Sequence, residues 1–117
     1  MTDNAPHYLV RQFETAWKLT IFHLDGLTTA ECLWRPAHSG LHVHLSADGT
    51  WDADWPTHER YDLGPPSIAW LTWHLCFWWS MVMDHSFGDV VAWVNMELTK
   101  NAAEIGYARF LYAVSVT

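Results

Sequence analysis

The chain has 117 residues, half of them hydrophobic and 16% charged, which is material for one folded domain over 1–117 and too little for a second core. Thirteen Asp and Glu against six Lys and Arg leave a net charge of −7. That balance argues against nucleic acid and anionic membrane surfaces as partners, since both are recognised by clustered cations.

Nine Trp and eight His stand out in this composition. The Trp excess reads first as an aromatic core and second as an aromatic-lined ligand groove. Cys32 and Cys76 show no redox or metal-ligand spacing, so a reduced, cytoplasmic setting is expected. The opening MTDNAPHYLV has neither a basic n-region nor an apolar h-region and does not read as a signal peptide.

In chain order, a first helix is predicted from about Asn4, with Pro6 in its first turn, where a missing N–H costs nothing. Leu9, Phe13, Ala16, Trp17, Thr20, Leu24 and Leu27 recur at helical steps as one apolar stripe, and Asp25-Gly26 ends the helix. Thr28 to Glu31 reads as a capping box opening a short helical turn that stops before Pro36.

LHVHLSADGTWDADW, residues 41–55, alternates as strands do. The apolar faces coincide if Leu45 pairs with Trp51, Val43 with Ala53 and Leu41 with Trp55, leaving Ala47-Asp48-Gly49 as a three-residue loop with Gly in the left-handed position. That register sets His44 opposite Asp52 and His42 opposite Asp54.

A middle helix follows Pro65-Pro66, with Ser67 as its cap, and runs to about Asp84, where Gly88 soon breaks the chain. Its stripe is Ile68, Leu71, Leu75, Trp78 and Val82, with His74 inward and His85 on almost the same line. Residues 63–83 carry no formal charge, but a helix over 68–83 spans only ~24 Å, short of a ~30 Å hydrocarbon core. With His74 in its middle and acidic flanks, it reads as a buried helix. A last helix is predicted from Asp89 as N-cap almost to the end. The expected class is mainly α, three long helices and one β-hairpin.

On the last helix, Glu97, Lys100, Asn101 and Glu104 form a polar cluster between apolar residues at either end, Val90, Trp93 and Val94 before it and Ala108, Leu111 and Tyr112 after it. Such a cluster is either a solvated patch of ordinary ion-pair spacings or a functional island. An inward His74 has a matching pair of readings, a core imidazole or a ligand. Together His74, Glu97 and Asn101 could converge on one divalent ion, the imidazole and carboxylate being good ligands for Zn, Ni or Fe(II) and the amide a weak one. The hairpin set His42, His44, Asp52 and Asp54 is the rival, and reads more simply as cross-strand contacts. His7, His38 and His58 have no constellation around them. Phosphate-loop, dinucleotide, nucleophile-elbow and zinc-protease motifs are absent from the sequence, and Cys76 points away from His74.

FETAWKLTIFHLDGLTTAECLWRPA, GLHVHLSADGTWDADWP and LGPPSIAWLTWHLCFWWSMVMDHSFGD, with the closing VVAWVNMELTKNAAEIGYARFLYA, resemble the DinB/YfiT-like superfamily and its DinB-like group in particular. The order of an HLDGLT turn, an LWRPA turn and a SIAWLTWHL helix carries the resemblance. It implies a four-helix bundle, often a homodimer, with a divalent metal held by three histidines, one from the second long helix and two at i and i+4 on the last. It also implies thiol-dependent transferase or hydrolase chemistry, with mycothiol or bacillithiol as cosubstrate.

Position by position, His74 matches the first histidine, while Glu97 and Asn101 stand where the paired histidines would be. On this reading Glu97 or Glu104 is the catalytic base. The family's third bundle helix has no counterpart here, since only residues 84–89 join the two helices. Its loss is expected to open a ligand groove lined by Trp70, Trp73, Trp78 and Trp93, which a dimer would cover. The alternative is a non-catalytic member that binds a small ligand or partner in that groove.

Overall fold

The structure, a computed structural model, describes residues 5–56, 63–82 and 87–116. Its elements in order are α1 (Ala5–Leu24), α2 (Thr29–Leu33), β1 (Val43–Leu45), β2 (Trp51–Ala53), α3 (Ile68–Val82) and α4 (Phe87–Ser115). The mainly α architecture with one hairpin is as expected. Asn4, His58, Asp84 and His85 lie outside the described residues. Among the described residues, no helix is long and apolar enough to cross a membrane.

Local chemistry sets most boundaries. Gly26, at φ 73°, takes the left-handed turn that ends α1. Thr28 caps α2 by accepting the Glu31 N–H at 3.2 Å. Ser67 caps α3, its Oγ accepting the Trp70 N–H at 3.2 Å and its carbonyl accepting from Leu71. α4 begins two residues before the expected Asp89 cap, so Gly88 does not break the chain. Both lie in the first helical turn, where backbone N–H groups lack helical partners in any case.

β1 and β2 pair antiparallel as Val43↔Ala53, His44↔Asp52 and Leu45↔Trp51, with Gly49 at φ 86° in the loop. The expected Leu41–Trp55 pair is not part of this ladder. The Leu41 carbonyl instead accepts from Ser67 N at 3.1 Å, which ties the hairpin to the start of α3.

Phe13 of α1 meets Trp79 of α3, and α4 packs against both helices. It runs parallel to α1, since Asn95 bonds the Leu9 carbonyl and Arg109 the His23 carbonyl. It runs antiparallel to α3, since Leu71 packs with Ile105 while His74, one turn on, meets Glu97, two turns back. The core cluster is Ile68, Trp70, Leu71, Ile105 and Ala108, joined by Leu41 and Ala53 from the hairpin side. Burying each of the larger side chains contributes about 1.5–3 kcal/mol.

α1 and α4 approach closely at Gly106, where a Cβ would run into the His23 ring. Trp17 departs from the predicted stripe. It is 48% exposed and stacks on Phe13, while Ala16 and Thr20 take the buried positions.

Candidate functional site

The site is built where α3 crosses α4. His74 projects from the middle of α3, and its ring stacks on Trp70 at 4.8 Å between centroids and 16° between planes, with Trp78 edge-on at 6.2 Å. Its Nε2 faces Glu97 Oε2 at 3.6 Å, and the two side chains keep only 17% and 25% of their exposure. Burial holds the His74 imidazole below its ordinary range; hydrogen bonding and charge from Glu97 partly offset this, and Lys100 adds to the lowering. The lowering favours the neutral imidazole at neutral pH, whose Nε2 either donates its proton to Glu97 or, in the tautomer protonated at Nδ1, carries the lone pair.

Asn101 is almost fully buried. Its amide nitrogen donates to the Glu97 carbonyl at 2.8 Å and lies 3.5 Å from the Glu97 carboxylate. The amide is thus engaged along its own helix. Glu104, one turn beyond, is half-buried, and burial pushes its carboxyl up, with Lys100 opposing and Glu97 adding to the rise. Lys100 points to solvent. The polar island is therefore a graded edge, with Asn101 inside, Glu97 and Glu104 at the rim and Lys100 outside.

Of the predicted groove residues, Trp70 is 6% exposed and belongs to the core; its Nε1 donates to the Asp54 carbonyl at 2.8 Å. Trp73 and Trp78 are half-buried beside it. The side chain of Trp93 lies outside the described residues. Trp55 and Phe77 extend the aromatic array at 5.0 Å, a contribution from the hairpin that helical spacing could not reveal.

The hairpin histidines do structural work. His42 Nδ1 meets the buried Ser67 Oγ at 2.7 Å, and His44 Nε2 meets Asp54 Oδ1 at 2.8 Å rather than the directly opposed Asp52. Asp54 Oδ2 also accepts the His42 N–H. Among the described residues, no group of three or more His, Cys, Asp or Glu side chains is placed to hold a metal ion, the hairpin set included.

The family's divalent ion can be tested against these donors. Two ligands of one tetrahedral zinc, at about 2.0–2.2 Å from it, stand about 3.4 Å apart. The 3.6 Å between His74 Nε2 and Glu97 Oε2 suits that arrangement. The hydrogen bond from Asn101 Nδ2 to the Glu97 carbonyl sets the orientation of that amide, whose oxygen is the atom a metal would take. His74 and Glu97 are thus the two His or carboxylate donors that the spacing fits.

Burial also holds His42 below its ordinary value; Arg35 and His44 add to the lowering and Asp54 opposes it. For both histidines the unfolded chain binds the proton more readily, so stability is present above about pH 6.5 and is lost as pH falls through the lower native values. Glu104 acts with the opposite sign, from about 4.5 upward. We expect urea midpoints of metal-free protein to fall between pH 7.5 and 5.5, and to fall less in His42→Gln/His74→Gln. An unchanged slope in the double variant would place the titration elsewhere.

The family model of the DinB superfamily matches residues 12–105, well over half of the chain. No curated protein and no solved structure matches it.

Proposed function

The chain belongs to the DinB superfamily, and within that membership we propose that it is an exchangeable divalent-metal-binding protein whose protein donors are His74 Nε2 and Glu97 Oε2. The observation that carries this reading is the 3.6 Å approach of a neutral imidazole and a carboxylate, from two different helices, in a partly dry aromatic setting. Zn, Ni or Fe(II) suits that donor pair. When bound, such an ion supplies Lewis acidity that lowers the pKa of a bound water or thiol.

In a thiol-dependent transferase or hydrolase reaction, the chain's own part is to orient His74 on Trp70, to exclude water with Trp73 and Trp78, and to hold a proton at Glu104. Asn101 positions Glu97. Two free cysteines suit a reducing, cytoplasmic compartment, where a low-molecular-weight thiol is available.

The second reading, a non-catalytic ligand-binding or interaction module, is favoured because, among the described residues, no third His, Cys, Asp or Glu joins His74 and Glu97. Titration calorimetry with Zn²⁺ and Ni²⁺, backed by elemental analysis, separates the two. We expect one site per chain in the parent, and at least tenfold weaker binding in His74→Ala and in Glu97→Gln. A parent that takes up no metal when it is added back would sink the metal reading and leave the second.

A further inference from the structure

Thr72, Leu75, Cys76 and Trp79 share one face of α3, and His74 lies about 200° around the helix from Cys76, on the other. With Phe13, Trp17 and Leu24 of α1, this second face encloses a cavity of 440 Å³, and the buried Leu98 of α4 closes it from behind. None of Trp70, Trp73 and Trp78 lines it. The cavity is bounded at both ends. Phe13 and Trp79 meet at 5.7 Å between ring centroids at one end, and Leu24 packs against the core cluster at the other. The stretch from Phe13 to Leu24 covers ~16 Å of helix. An added helix, ~10 Å across, needs open ends to lie between α1 and α3, so the space suits a small molecule.

We propose that this cavity binds a small, neutral, planar aromatic ligand of one or two rings. Its lining carries no Asp, Glu, Lys, Arg or His, so a charged group would lose its water and gain no partner. The two hydroxyls are already committed. Thr20 Oγ1 donates to the Ala16 carbonyl at 2.8 Å, and Thr72 Oγ1 donates to the Ala69 carbonyl at 2.9 Å. The remaining polar group is the Cys76 thiol, a weak donor on the exposed rim.

Shape selects the aromatic class. The Phe13 and Trp17 rings lie 10° from parallel at 6.3 Å and make a flat wall on the α1 side, while Trp79 is tilted 49° to Phe13 from the α3 side. Two such surfaces offer a ring both stacked and edge-on contact. Trp17 is 48% exposed and Trp79 37%, so both keep open ring surface for a ligand to cover. A volume of 440 Å³ falls within the range of small-molecule pockets and holds a bicyclic ring system. A sugar of that size, with hydroxyls on every side, would leave them unpaired against this lining.

Saturation-transfer NMR with indole at neutral pH tests the proposal. We expect saturable binding to the parent, with a dissociation constant of about 1 mM or below, and roughly tenfold weaker binding of the charged indole-3-acetate. His74→Ala should bind indole as the parent does, which separates failure here from failure of the metal site. Cys76→Trp, which fills the mouth from an exposed position, should weaken indole binding about tenfold with helicity by circular dichroism unchanged. Alkylation of Cys76 by iodoacetamide, read by peptide mass spectrometry, needs no variant. Saturating indole should slow it about fivefold and leave Cys32 as it was. A parent that binds no indole overturns the proposal, and so does a Cys76 alkylation rate that indole leaves unchanged. Binding lost in His74→Ala would overturn it too, by placing the ligand at the Trp70 array. Equal binding of indole-3-acetate would overturn the neutral class.

Discussion

Arg109→Ala is expected to lower unfolding stability by about 3–4 kcal/mol, a large share of what a domain of this size holds. Arg109 forks onto Glu31, with Nε to Oε2 at 2.8 Å and Nη2 to Oε1 at 3.1 Å. Its third nitrogen donates to the His23 carbonyl at 2.9 Å and to the Asp25 carbonyl, at the end of α1. One guanidinium therefore closes three elements, α1, α2 and α4.

Glu31 is only 7% exposed, so removing Arg109 strands a buried carboxylate and the last carbonyls of α1 together. Most of the loss is that stranding rather than the worth of the pair. Glu31→Leu/Arg109→Met should consequently recover much of it. Arg109→Lys should fall between, since an ammonium keeps the charge and loses the fork. Urea denaturation of the four proteins checks the series; a loss under about 1 kcal/mol for Arg109→Ala would show that water replaces the clamp.

The Glu31–Arg109 pair marks where sequence reading stops. Thr28 as a cap, Ser67 as a cap and the hairpin register with Gly49 were legible because their causes lie within a few residues. Glu31 fitted the same local logic as the reciprocal half of a capping box, but its carboxylate goes to a partner 78 positions away. No local pattern encodes that choice.

Asn101 is the opposite case. Helical spacing placed it beside Glu97, but that the amide nitrogen bonds the i−4 helix carbonyl and so fixes the amide's orientation is not a thing spacing specifies. The meeting of His74 with Glu97 was legible because each lies among apolar residues at helical spacing on its own helix. The hairpin's share in the site was not. Trp55 reaches Phe77 and Asp54 holds Trp70 through tertiary contacts that alternation along a strand does not specify.

Trp70 joins that hairpin to the site, and its replacement has the second large effect. Its indole lies under the His74 ring while its Nε1–H holds the Asp54 carbonyl, and Asp54 in turn holds His42 and His44. Trp70→Ala removes a side chain that is 6% exposed and leaves a cavity in the main cluster, for an expected loss of about 3–5 kcal/mol. Trp70→Phe keeps a ring to stack on and loses the N–H and part of the buried ring volume, for about 1–3 kcal/mol.

The two variants also separate packing from positioning at His74. Burial is the main reason the His74 imidazole lies below its ordinary range, so opening the Trp70 side to water should raise it toward 6.5 in Trp70→Ala and much less in Trp70→Phe. Proton NMR titration of the His74 ring reads that shift without any metal present. If the value stays where it is in Trp70→Ala, then Trp78 and the α4 side supply the dryness, and Trp70 serves the core alone. A rise in Trp70→Ala together with weaker Zn²⁺ binding would instead show that the stack on Trp70 keeps His74 neutral and turned toward Glu97.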